Sequence, residues 1–465
     1  MHHDTDVAVI GAGTAGLAAE RGARRQGART LLIDDAFRGT LCASTGCMPS
    51  KLLIAAANAA HEARKTDVFG ITTQGVTVDG PAVMVRVRAE RDKFVEATRR
   101  SFDDLPGGTC ITARARFTGQ TDLSLDNGDT VSARAVVIAT GSQASIPKPF
   151  EGLGDLALTN ETIFEIEDLP ASLAVIGGGA IGLEMAQAMA RLGVDTALFD
   201  HEDTLGRASN SDVHAALTDI IGQELSLHLG ADVSAERDGD RARLSWSGGE
   251  RLFDRVLIAT GRPPQLADLG LESTGLALDD HGMPEFDRTT LQCGDAPVFM
   301  AGDANADAPV LHEASTEGSI AGRNAVAYPA TDAPARAPSF AVTFTDPPMA
   351  VLGDPPGDDT VIGCASYTDQ GRAKVEARAK GLVRLYATAG DGRLTGAELL
   401  CPGADHMAHL LAHAIQRGDT ASDLLRLPFY HPTLEEGLKP ALREICSTTP
   451  IDLPDDRDSG DAPGA

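Results

Sequence analysis

The stretch Cys42-Ala43-Ser44-Thr45-Gly46-Cys47-Met48-Pro49-Ser50-Lys51 holds two cysteines five positions apart, followed by a lysine. Two thiols so placed suit a disulfide that opens and closes. In a regular helix, residues five apart are separated by about 7.5 Å along the axis and face different directions. Alpha carbons more than about 7 Å apart cannot be bridged without backbone movement. The spacing therefore predicts a loop around Cys42 that becomes helical near Cys47, with Gly46 easing the turn. A bond held this way should be easily reduced. Two buried structural cysteines are the other reading of the spacing, so the neighbouring elements must decide.

Asp6-Val7-Ala8-Val9-Ile10 is a β-branched run ending in Gly11-Ala12-Gly13-Thr14-Ala15-Gly16, followed by an Ala- and Arg-rich helical stretch and a second strand that ends at Asp34. Strand, glycine turn, helix, strand and acid, in that order, make a Rossmann unit. Its glycines let the backbone approach a pyrophosphate at the positive end of the helix, and Asp34 can accept from a ribose hydroxyl. The pattern recurs at Ala174-Val175-Ile176, Gly177-Gly178-Gly179-Ala180-Ile181-Gly182 and Asp200. Two copies imply two dinucleotide sites. A second repeat, Val136 to Gly141 and Val256 to Gly261, is a buried-strand run ending in Ala-Thr-Gly, one for each unit.

The connecting segments are also readable. Residues 58–100 predict helices broken by a loop near 70–81. Residues 114–131 and 242–252 predict hairpins. Val298-Phe299-Met300-Ala301-Gly302-Asp303 reads as a strand ending in Gly-Asp, ahead of a helix with His312, Glu313 and Glu317. A Pro- and Ala-rich linker at 329–338 precedes a mixed strand and helix segment from 339 to 443. Residues 451–465, with five Asp, predict a disordered tail. His406, His409 and His413 form an i, i+3, i+7 stripe that reads as solvent-facing rather than as metal ligands.

Composition narrows the function. The chain has 465 residues, which suggests three or four domains, and its net charge of -27 argues against general affinity for nucleic acid or anionic membranes. Seven scattered cysteines are no secreted disulfide framework. No apolar run reaches the length of a membrane span, and the first strand starts too early for a signal peptide. A cytoplasmic location is expected, and the acidic surface suggests a salty one.

With these pieces in order, the chain resembles the flavin-dependent pyridine-nucleotide disulfide oxidoreductases, among them dihydrolipoamide dehydrogenase, glutathione reductase and mercuric reductase. The resemblance rests on Cys42 to Lys51, Gly177 to Glu184, Ala259 to Pro263, Ala301 to Asp303 and His431-Pro432-Thr433-Leu434-Glu435-Glu436. It implies an α/β fold with two Rossmann-like domains, for FAD and NAD, and a C-terminal α+β dimerisation domain. The boundaries expected are 1–149 for FAD, 150–266 for NAD, 267–335 for a central domain completing the FAD site, 336–447 for dimerisation and 448–465 for a disordered acidic tail.

The resemblance also implies roles. Cys42, nearer the surface, would exchange with the substrate, and Cys47 would lie against the flavin as the charge-transfer thiolate. His431, lent by the partner of a homodimer, would move the proton, with Glu436 fixing its tautomer. Lys51 would sit by the isoalloxazine. Gly11, Gly13, Gly16, Asp34, Thr40, Lys51, Thr140, Gly141 and Asp303 would hold FAD. Gly177, Gly179, Gly182, Glu184, Asp200 and Gly261 would hold the nicotinamide cofactor. Asp200 favours NAD over NADP, since a carboxylate repels a 2'-phosphate, while His201 and Arg207 are cations that a phosphate could use.

Leu41, Ser44, Pro348 and Phe429 stand where many relatives carry Thr, Asn, Glu and His. Asp200 ranks the NADPH-preferring glutathione reductases low. Mercuric reductases carry a C-terminal cysteine pair, and here only Cys446 lies near the end. The expected activity is therefore that of a dihydrolipoyl dehydrogenase, with lipoamide as substrate and a lipoyl-carrier protein or a small disulfide as partner. A mercuric-reductase-like or other disulfide reductase is the alternative, and a redox-sensing flavoprotein scaffold is the alternative outside enzymes.

Overall fold

The computed structural model describes residues 1–206 and 208–454. Arg207 and the last acidic residues, from 455 on, lie outside the described residues. The chain divides into two compact units, one of 1–52, 85–145 and 261–336, the other of 53–84, 146–260 and 337 onward.

The first unit is built on a seven-stranded sheet. Strand His2–Ile10 lies between Thr30–Asp34 and Thr130–Ile138, parallel to both. Val298–Met300 joins the far side of Thr130–Ile138, also parallel. Val7 to Ile10, Val136 to Ile138 and Val298 to Met300 are almost wholly buried. Strands covered on both faces read as continuous apolar runs, and each large side chain so buried contributes about 1.5–3 kcal/mol. The hairpin Asp122–Leu125 with Thr130–Ile138 closes as the sequence predicts, and Ala115–Phe117 adds to it. Helix Thr14–Arg25 packs closely on helix Leu311–Ala327 through small residues. A Cβ at Gly318 or Gly322 would lie 2.1 Å from the carbonyl oxygen of Ala15 or Ala19.

The second unit holds a five-stranded parallel sheet in the order Ser226–His228, Asp195–Phe199, Ser172–Ile176, Arg255–Ile258, Ala157–Leu158. A three-stranded antiparallel sheet contains the expected hairpin, Arg241–Trp246 with Gly249–Phe253. The C-terminal part is a five-stranded antiparallel sheet whose core is shared with helices Ala404–Arg417 and Lys439–Thr448. Ile451 packs on that core. The expected tail from 448 therefore begins as packed chain, because an isoleucine beside an apolar surface gains more by burial than the backbone loses by ordering.

The central segment 267–335, expected to complete the FAD site, groups with the first Rossmann half, because Val298–Met300 is a strand of that sheet. Residues 53–84, expected with the FAD domain, group with the second unit. His406, His409 and His413 are exposed on one helix, with the His409 ring edge-on to Phe340 at 4.8 Å. Among the described residues, no helix is long and apolar enough to cross a membrane.

Candidate active site

In the first unit the cysteine segment is more helical than its spacing suggests. Leu41–Ser44 forms one helical turn capped by Thr40, whose Oγ1 accepts from the Ala43 N–H at 3.3 Å. Cys47 then opens the long helix Cys47–Arg64. The gap closes at Gly46, where a Cβ would lie 2.8 Å from Leu41 Cδ2 and 3.0 Å from the Leu41 carbonyl oxygen. The first turn thus folds back over Gly46 instead of entering as a loop, and it partly buries Cys42 while Cys47 stays exposed.

The Cys42 thiol is pushed far above its ordinary value, first by its hydrogen bond to Cys47 and then by burial, while the charge of Lys51 pulls the other way. Cys47 stands at a helix N-terminus, where unsatisfied N–H groups and the helix dipole favour negative charge. Lys51 is one helical turn further on.

The two glycine turns match atom for atom. Gly11 and Gly177 have φ of +101° and +109°, and a Cβ on either would meet the carbonyl oxygen of Ala139 or Ala259 within 2.5 Å. A Cβ on Gly16 or Gly182 would strike the Gly11 or Gly177 carbonyl oxygen. Gly13 and Gly179 instead face nothing within 4 Å, and each precedes a helix whose first amides have no side-chain cap. The acids repeat as well. Asp34 Oδ2 accepts from the Ala12 N–H at 2.9 Å, and Asp200 Oδ2 accepts from the Gly178 N–H. Asp34 also takes the Ala36 and Phe37 amides, leaving about one of its four lone-pair sites. Asp200 also takes the Glu202 amide at 2.9 Å and lies 3.2 Å from His201 Nδ1.

These features fit dinucleotides. Open helix ends beside Gly13 and Gly179 suit phosphate, and the buried Thr140 hydroxyl has no hydrogen-bond partner among the described residues. Asp303, expected to hold a sugar hydroxyl, accepts from the Ser142 hydroxyl at 2.7 Å. Arg262 donates to the Ser142 carbonyl at 2.7 Å. Gly261, expected on the NAD side, opens the segment that rejoins the first unit. The sequence reading missed Ser142 and Arg262, although each directly follows an Ala-Thr-Gly repeat. It also missed the support of Asp303: buried Glu317 accepts from the Gly302 N–H and from Asn305 Nδ2, both at 2.8 Å.

In the second unit, buried Glu184 accepts from the Phe344 N–H at 2.9 Å. His431 and Glu436 form a pair, with Nδ1 3.1 Å from Oε2 and 3.2 Å from Oε1. Glu436 also accepts the Thr433 amide at 3.2 Å. Phe429 meets the ammonium of buried Lys439 at 5.8 Å from its ring centroid.

Comparison with known proteins places this geometry. Residues 5–318 match the pyridine nucleotide-disulphide oxidoreductase family, and residues 339–442 match its dimerisation domain. The chain is 31% identical to a dihydrolipoyl dehydrogenase of Haloferax volcanii, over 94% of this chain and 95% of that one. It is 31% identical to a mercuric reductase of Streptomyces lividans, over 96% and 97%. Among solved structures, the flavoprotein disulfide reductase RclA from Escherichia coli superposes with a TM-score of 0.81 at 21% identity, covering 95% of this chain and 99% of that chain. With paired cysteines, two dinucleotide turns and a dimerisation domain in one chain, the protein belongs to the pyridine nucleotide-disulphide oxidoreductase family, which works with FAD and NAD(H).

Proposed function

We propose that the protein oxidises a dithiol of the dihydrolipoamide type and delivers the electrons to NAD. The observation that carries this reading is the pairing of His431 with Glu436, an exposed imidazole held by a buried carboxylate. A dithiol oxidation must remove protons as well as electrons, and this pair is built to move them.

In this reading, one substrate thiolate attacks the Cys42 sulfur of the Cys42–Cys47 disulfide, and Cys47 leaves as a thiolate. His431, supplied by a second copy of the chain, takes the proton of the other substrate thiol. That thiolate closes the substrate disulfide and expels Cys42, which takes the proton back from the imidazolium. Glu436 keeps the Nδ1 side of the ring protonated, so that the far nitrogen acts as the base. FAD, when bound, would supply the two-electron acceptor between the dithiol and NAD. Thr40, Thr140, Gly141, Lys51 and Asp303 would hold the flavin cofactor with the first glycine turn. Asp200 would favour NAD by accepting from its ribose hydroxyls, and Glu184 would approach the nicotinamide.

Cys446 supports a dithiol over a mercury substrate. It is the single cysteine near the C-terminus, and it is buried in the C-terminal core. A metal ion handed along the chain needs an accessible thiolate.

The test is an anaerobic titration of the flavin-loaded protein with dihydrolipoamide, then NAD. Long-wavelength thiolate-to-flavin absorbance followed by NADH formation is expected. Flavin reduction by NADH with no response to dihydrolipoamide, together with mercury-dependent NAD(P)H oxidation, would transfer the protein to the mercuric-reductase-like reading.

A further inference from the structure

The helix Cys47–Arg64 ends beside a cavity of about 210 Å³ that the redox chemistry does not use. His61, Lys65, Phe69, Pro347, Arg378 and Lys380 stand on its wall. The chain carries only seven lysines against 67 acidic residues, so two lysines on one small cavity are a concentration of scarce charge. Among the described residues, neither ammonium lies within 4.0 Å of a carboxylate. The two also oppose each other: Lys65 is held below its ordinary value first by burial and then by the charge of Lys380.

Four acids line the cavity too, and the two less exposed ones are already engaged. Asp346 is bound by Arg191 at 2.9 Å and Arg378 at 3.3 Å, and Glu376 by Arg372 at 2.6 Å. Glu62 and Asp67 are exposed, as are Lys65 and Phe69, so these four stand at the cavity mouth while Lys380 lies deeper. His61 is pushed down to about 4, first by burial and then by Arg191, so at neutral pH its ring offers a hydrogen bond without a charge. The remaining wall is apolar, from Phe69 and Pro347. A cavity of about 150 Å³ accepts benzene, so this one admits a ring or a short carbon chain with a carboxylate.

We propose that this cavity binds a small organic carboxylate, with its charge between Lys65 and Lys380 and its carbon body against Phe69 and Pro347. An anion there removes the repulsion between the two ammonium groups, and the apolar wall separates an organic acid from an inorganic ion.

Isothermal titration of the flavin-loaded protein with benzoate and with succinate, at fixed ionic strength, tests the site. Saturable binding is expected, weakened at least tenfold in Lys65→Met and in Lys380→Met, which keep the apolar stems. Lys93→Met should bind as the parent does, since Lys93 pairs with Glu90 on an exposed helix. Inorganic phosphate should bind more weakly than either acid. The proposal is overturned by no saturable binding of either carboxylate, by undiminished binding in both cavity variants, or by phosphate binding as tightly as the acids.

Discussion

Nδ1 of His431 lies 3.1 Å from Oε2 of Glu436, although the histidine is 62% exposed and the glutamate only 5%. The buried partner fixes the ring, and the exposed ring is free to meet a substrate. An imidazolium formed during turnover would be stabilised by a carboxylate that water screens little.

His431→Gln should lower dithiol oxidation by roughly 10²–10⁴ and leave the flavin spectrum intact. Glu436→Gln keeps the acceptor for the Thr433 amide, so a smaller loss is expected, with a changed pH profile. Steady-state kinetics across pH check both, and unchanged turnover in His431→Gln would remove the proposed base.

Paired thiols carry the second prediction. Cys42→Ser and Cys47→Ser should each abolish dithiol turnover while the protein stays yellow. Turnover retained by either variant would refute the exchange described above.

The glycine turns give a third. Gly16→Ala puts a methyl group 1.8 Å from the Gly11 carbonyl oxygen and should cost several kcal/mol of stability, on the order of other overpacked sites. The Cβ of Gly13→Ala meets no chain atom within 4 Å, so this variant should fold but retain FAD at least tenfold more weakly. Thermal melts and flavin retention on gel filtration separate the two effects. Equal behaviour of the two variants would mean that the turn has no open ligand side.

Some of this was legible in the sequence, and some was not. The turns could be read because a positive φ and a carbonyl contact demand glycine at fixed positions. The parallel strands could be read because doubly covered strands have no polar face. The His431 to Glu436 contact came from family resemblance, since a five-residue spacing through a Pro-containing turn does not fix a distance. The helical turn at Leu41–Ser44 was read as a loop, because it depends on how Leu41 folds over Gly46. The bonds of Ser142 to Asp303 and of Arg191 to Asp346 join residues far apart in the chain, and no local pattern announces such partners.

A fourth prediction concerns acid. An ordinary histidine titrates near 6.5, and folding holds His61 at about 4. The unfolded chain therefore binds more protons between these values, so the stability tied to neutral His61 is full above 6.5 and is lost as pH falls toward 4. Burial pushes Glu224 and Asp346 up, but Arg191 prevails and holds both below their ordinary values, so they add a loss of the same sign at lower pH. Urea midpoints at pH 7, 5.5 and 4 should fall more gently in His61→Asn than in the parent. Identical slopes would sink the assignment.

Charge gives a fifth. With a net charge of -27, self-repulsion should weaken the fold at low salt. Raising KCl from about 0.1 M to about 2 M shortens the screening length from about 10 Å to below about 3 Å, and the melting temperature should rise. A fall would argue against adaptation to a salty compartment.

Val136 and Val298 are paired neighbours in the first sheet, yet the strands of the second parallel sheet are all made between them. During synthesis, the first sheet therefore keeps an unfilled edge until the whole second Rossmann half has left the ribosome. Closing so long a loop is slow, and an open strand edge invites pairing with another chain. The order of synthesis thus makes the nascent first half a natural client for chaperones, and a fragment ending before Val298 should aggregate rather than fold.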